Sequence, residues 1–166
     1  KIKLQQFLDQ RLNFPHNEDV RYEAFAADVM VSFAITNADR SIPDQNLGKV
    51  QENEVVCWVP ALEKVKRHGR WVSNRLVWFV PYIVVDNPWA MAAGREIFGL
   101  PKSIGKFQIP DDPRQANMFT STPYGFKTYN PGAVLQELPF LSITRSGASG
   151  AETPAAFSSG KEALGA

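Results

Sequence analysis

Leu76-Val77-Trp78-Phe79-Val80-Pro81-Tyr82-Ile83-Val84-Val85 is a run of ten residues without a charge, and Asp86-Asn87-Pro88 closes it. A run so rich in β-branched and aromatic residues is too apolar for a strand wetted on both faces, so it reads as a buried central element. Pro81 cannot donate to a ladder and marks either a bend in one strand or the break between two. Ten residues are about half the roughly 20 that a membrane-spanning helix needs. Asn87 is suited to cap free amides, and Pro88 suits the first helical position, where its missing N–H costs nothing. A helix is therefore predicted over Ala90 to Phe98. Gly99 suits the left-handed residue past its end, and Leu100, preceding Pro101, is pushed towards extended geometry. Lys102 is thus placed directly after a helix, on an extended segment.

Upstream, the β-branched run Val55 to Val59 predicts a second strand, followed by a charged turn over Glu63 to Arg70. The polar segment Asn37 to Glu54, with Pro43, Asn46 and Gly48, reads as a long connection. Before it, Val29, Val31, Phe33 and Ile35 alternate with Met30, Ser32 and Ala34, which predicts a strand from about 24 to 36. Ile2, Leu4, Phe7, Leu8 and Leu12 make one apolar stripe of a short N-terminal helix. Downstream, 118–122 and 126–129 look like a hairpin around Pro123-Tyr124-Gly125, and Leu135 to Ile143 reads as one more strand. From Arg145 to Ala166, 14 of 22 residues are Gly, Ala or Ser, too little bulk for a core. The expected organisation is one domain over 1–144 and a linker-like tail over 145–166.

Composition narrows the function classes. With 166 residues, 44% of them apolar, the chain is long enough to bury a core. Its 18 basic and 17 acidic side chains leave a formal charge of +1 and no basic run for a phosphate backbone, so nucleic acid is not an expected partner, nor is a membrane. The single cysteine, Cys57, excludes an internal disulfide and fits a reducing compartment, and the N-terminus lacks the apolar stretch of a signal peptide. Cytoplasm is the expected location. His16 and His68 have no partner at metal-ligand spacing, so no metal site is expected. Trp58, Trp71, Trp78 and Trp89 have no interleaved basic residues and read as core and cavity wall rather than a base-stacking platform.

Lys102 stands between Pro101 and Ser103, behind an apolar strand and an Ala-rich helix. Two readings are open for it. Its stem packs on Leu100 and Ile104 while the tip reaches water, or desolvation disfavours the ammonium and leaves a nucleophilic amine. Residues 85 to 102, Val85-Asp86-Asn87-Pro88-Trp89-Ala90-Met91-Ala92-Ala93-Gly94-Arg95-Glu96-Ile97-Phe98-Gly99-Leu100-Pro101-Lys102, resemble the signature of the acetoacetate decarboxylase family. There an Asp-Asn pair precedes a Gly-Arg-Glu helix, and a Pro-Lys step carries the Schiff-base lysine. Lys102 takes that position, and the family is the established example of an activated amine.

The resemblance implies an α+β, mainly antiparallel fold, a β-barrel or cone with a few peripheral helices around a small apolar cavity. It is strong over residues 76 to 107, and the chain is shorter than a complete member. Where the decarboxylase proper has a second lysine, this chain has Ser103, so desolvation must carry more of the activation. Glu63, 39 residues before Lys102, resembles in its spacing a cavity glutamate that the family uses, with Glu52 and Glu54 as the alternatives and a solvated turn as the bland reading. Arg95 and Glu96 are expected as structural support, in an ion network behind the Lys102 loop. Arg21 is a candidate for binding a substrate carboxylate through paired hydrogen bonds, or a surface arginine. The activity implied is that of a carbon–carbon lyase that forms an imine between Lys102 and a small oxo acid, foremost in β-keto acid decarboxylation, without organic cofactor or metal. Aldol or dehydration chemistry through the same imine is the rival reaction, and a non-catalytic barrel binding a small ligand is the rival class. The expected partners are the oxo acid substrate and further copies of the chain in a homo-oligomer.

Overall fold

The computed structural model describes residues 1–39, 50–110 and 118–144. Helix α1 (Ile2–Arg11) leads into strands β1 (Val20–Ala24), β2 (Met30–Asp39), β3 (Val50–Arg67) and β4 (Arg70–Val85); helix α2 (Pro88–Glu96) precedes β5 (Lys102–Gln108), β6 (Met118–Gly125), β7 (Gln136–Glu137) and β8 (Leu141–Thr144). The strands form one sheet in the order β1-β3-β4-β5-β6-β7, with β2 also on β3 and β8 also on β6. All pairs are antiparallel except β4–β5, which α2 connects as a crossover. The mainly antiparallel α+β class is as expected. The sheet is not closed into a barrel among the described residues, because no ladder joins β2 to β8. It does curl: Phe33 on β2 meets Phe119 on β6 with ring centroids 5.1 Å apart.

Strand β3 is the spine. It runs eighteen residues, starting five before Val55 and passing straight through the charged segment read as a turn. The turn is only His68-Gly69, both with positive φ, 51° and 76°, which suits the tight connection closing Arg67 onto Arg70. Of the strand expected at 24–36 the structure forms β2 from Met30 onward, while β1 ends at Ala24, and the two are laid end to end along the same edge of β3. The run 76–85 is one strand. Its proline lies in a bulge: Cys57 faces Tyr82 and Val59 faces Phe79, so β4 has one residue more than β3 across that step. The bulge puts Phe79 and Tyr82, three apart, on one face, where both meet Phe7 of α1 at 6.1 and 6.3 Å. The hairpin expected around Pro123 is instead the single strand β6, which uses one edge for β5 and the other for β7 and β8. The tail at 145–166 and residues 40–49 of the expected connection lie outside the described residues.

Two apolar clusters hold the sheet. Leu8, fully buried, packs with Ala24, Val59 and Ala61 under α1, and Val56, Ile83 and Val85 pack against Met91 and Leu100 under α2. The chain from 76 to 82 is less enclosed than its composition suggests, with Trp78 and Tyr82 more than 40% exposed. No helix of the described residues is long and apolar enough to cross a membrane.

Leu8 supplies the side chain that fixes α1 to the sheet. Leu8→Ala is expected to lower unfolding stability by about 2–5 kcal/mol, the range for a buried leucine whose cavity refills poorly. Urea unfolding measures it, and a change below about 0.5 kcal/mol would mean that α1 is not seated as described.

Candidate active site

Asn87, Pro88 and Gly99 act as their residue types dictate. The Asn87 Oδ1 accepts from the backbone N–H of Trp89 at 2.9 Å and Ala90 at 3.3 Å, Pro88 opens α2, and Gly99 adopts φ 66° after Ile97 ends it. The Leu100 N–H then donates to the Gly94 carbonyl at 2.9 Å, turning the chain back so that Lys102 begins β5. Register pairs Lys102 with Ile83 and Ile83 with Val56, which places all three side chains on the face that α2 covers.

Lys102 is 7% exposed. Its stem lies against Gly94, where a Cβ would stand 2.5 Å from Lys102 Cδ and 3.0 Å from Cε, so only glycine leaves room at that helix position. Its Nζ donates to both carboxylate oxygens of Glu52, each at 3.2 Å. Glu52 is 6% exposed and stands 50 residues earlier in the chain. Two charges so far from water are tolerated because they are paired, and breaking such a pair by removing one member typically costs about 3–5 kcal/mol. Residue 52 also takes part in a polar recess of about 260 Å³ at this end of β3, with Ile35, Thr36, Gln51, Asn53 and Asp86, but the Glu52 side chain itself is only 4% exposed. Chemically, the arrangement holds an amine within proton-transfer distance of a carboxylate.

Glu63 is not part of it. Eleven residues beyond Glu52 on β3, it is about 36 Å of extended chain away at roughly 3.3 Å per residue. It is on neither a turn nor this cavity: a bulge at Asn74 opposite it lets Asn74 Nδ2 donate to Glu63 Oε1 at 2.7 Å, while Arg75 donates through Nε and Nη2 at 3.0 and 2.9 Å. The Arg75 hydrogen bond, more than any other contact, holds the Glu63 carboxyl below the usual carboxylate range. Arg21, on β1 beside Lys64, is equally remote from Lys102; it pairs with Glu23 at 2.5 Å and lies 4.6 Å from the centre of the Trp71 ring. Arg95 and Glu96 are exposed and no ion pair joins them among the described residues, in place of the expected network; Arg95 Nη1 donates to the Lys102 carbonyl at 3.4 Å.

Strand alternation sends Ser103 to the opposite face from Lys102, where it lines an apolar groove of about 270 Å³ with Tyr82, Val84, Pro123, Leu138 and Phe140. A charge at residue 103 would not face the Lys102 amine. Of the tryptophans read as core, Trp89 is 77% exposed and Trp78 44%, whereas Trp58 is half-buried with its Nε1 donating to Ser32 Oγ at 2.9 Å. Among the described residues no three His, Cys, Asp or Glu side chains gather as a metal site would require.

The family model described as acetoacetate decarboxylase (ADC) matches residues 28–120, a span that holds Glu52, Gly94 and Lys102 and excludes Arg21. No curated protein and no solved structure matches the chain.

Two outcomes follow from this geometry. Gly94→Ala is expected to leave the fold intact, since its Cβ meets only a flexible stem, but to push Lys102 off Glu52 and cut its reaction with an amine-directed label; unchanged labelling would show that the seat is not tight. For Glu63, a folded value below the ordinary 4.5 means stability that is present above pH 4.5 and lost as pH falls through the lowered value. Glu63→Gln should therefore be less stable than wild type at neutral pH, with the two urea midpoints converging in acid; a difference that does not shrink with pH would exclude the ion pair as its source.

Proposed function

The chain belongs to the acetoacetate decarboxylase family, and on that premise we propose that it is a lysine Schiff-base enzyme which decarboxylates a small β-keto acid. The observation that carries the reading is the Lys102 amine, buried and bonded to both oxygens of a carboxylate that is itself buried. Lys102 is the nucleophile. Glu52 takes the proton that Lys102 must lose before its nitrogen attacks the ketone carbon. Water leaves the adduct and a positive iminium remains. The bond to the carboxylate breaks, its electrons move onto the iminium nitrogen, and neutral CO2 departs, a step favoured where a carboxylate is poorly solvated. The enamine takes a proton at carbon, delivered through Glu52, and water hydrolyses the imine to release the ketone and Lys102.

Incubation with acetoacetate and borohydride tests this, the trapped adduct being weighed by mass spectrometry. Lys102→Arg keeps length and charge but cannot become a neutral amine, so trapping and CO2 release should both vanish; near wild-type turnover would refute Lys102 as nucleophile. Glu52→Gln removes the acceptor of the Lys102 proton, so trapping should slow and turnover should fall by something like 10² to 10⁴. Adduct formation without CO2 release in the wild-type protein would turn the reading towards aldol or dehydration chemistry.

A further inference from the structure

The β3–β4 ladder ends at Glu54 opposite Val85, so on that edge residues 51–53 have no strand beside them. The next two residues after β4 take over. Asp86 Oδ1 accepts from the Asn53 backbone N–H at 2.8 Å, its Oδ2 accepts from Asn53 Nδ2 at 2.6 Å, and its own N–H donates to the Asn53 carbonyl at 3.2 Å. Asn87 Nδ2 donates to the Gln51 carbonyl at 2.8 Å while its Oδ1 caps α2. The residues held are the two neighbours of Glu52, on both of its sides. The same Asn87 starts the helix whose Gly94 seats the Lys102 stem.

We propose that Asp86 and Asn87 are positioning residues that set the distance between Glu52 and Lys102, which deepens the reading of that pair as the catalytic one and rests on it. Glu52 lies beyond the last β3–β4 pair, so its place relative to β5 is determined by the clamp on that side and by Thr36 of β2 on the other. Asn87 does two separable things: its oxygen caps the helix, and its amide nitrogen holds β3.

Asn87→Ser separates them, because a serine caps helices about as well as asparagine but its single hydroxyl is too short to bond Gln51 as well. Asn87→Asp is the second variant, with a stronger cap at the helix N-terminus and no donor. The readouts are thermal stability and the rate at which a small acylating reagent labels Lys102, followed by mass spectrometry, which requires no turnover. Both variants should melt close to wild type and should change Lys102 labelling in the same direction as Glu52→Gln, and in the Glu52→Gln background neither should change it further. Turnover of acetoacetate should fall by roughly 10²-fold, the scale of a displacement near 1 Å. If Glu52→Gln alters labelling and both Asn87 variants leave it at the wild-type rate, the clamp is refuted and the catalytic pair stands. Full additivity with Glu52→Gln refutes it also, since the effect would not pass through Glu52. If Glu52→Gln itself leaves labelling unchanged, the proposed pair fails and the clamp with it.

Discussion

Every backbone amide and carbonyl of a long buried strand needs a partner, and β3 satisfies that requirement over eighteen residues by bonding along both edges. One edge carries β1 and β2 in succession and the other carries β4, so the position of each of those strands is set against a single reference. The hairpin with β4 begins at a two-residue turn, which fixes register from that end. Where the ladder stops at Glu54, side chains of Asp86 and Asn87 extend the attachment. The site stands at the end of this ladder, where strand bonding gives out and polar side chains replace it.

The alternation of side chains across a sheet does the rest. Glu52 and Lys102 come from strands that are not neighbours, yet both are directed to the face beneath α2, the one by β3 and the other by β5 through its parallel pairing with β4. The buried pair that results is costly to leave unpaired. On the reverse face, one residue later, Ser103 belongs to an apolar groove. Two environments of opposite character are thus separated by the thickness of one sheet.

How much of this was legible depends on how local the determinants are. The segment 85 to 102 could be read residue by residue, because an asparagine cap, a proline after it, and a glycine past the helix each act within a few positions. Lys102 followed from that segment. The carboxylate beside it reads in the sequence only as an alternative to Glu63, since Glu52 is brought to Lys102 by tertiary pairing across 50 residues and stands in a stretch whose polarity resembles a loop. A strand that alternates Glu52, Glu54 and Val56 on its covered face carries charge at its end, and in a sequence such charge reads as exposure. The same inference misread Glu63, whose charged neighbours lie on a strand and whose carboxylate is met by Arg75 and Asn74. Closure of the barrel was likewise implied by resemblance and not by any residue pattern, and the strand edges that would join are not bonded to each other.

The parallel pairing of β4 with β5 has a consequence of handedness. A strand, helix and parallel strand pass over the sheet with right-handed sense in about 98% of cases, because twisted strands of L-amino acids admit a returning helix comfortably on one side only. Once β5 lies beside β4 on a given edge, that rule dictates the side on which α2 lies. It thereby dictates the side on which a lysine at the first position of β5 finds a helix to shelter it. Which surface of the sheet became the reactive one was therefore decided by the stereochemistry of the α-carbon, before any particular side chain was chosen for the work.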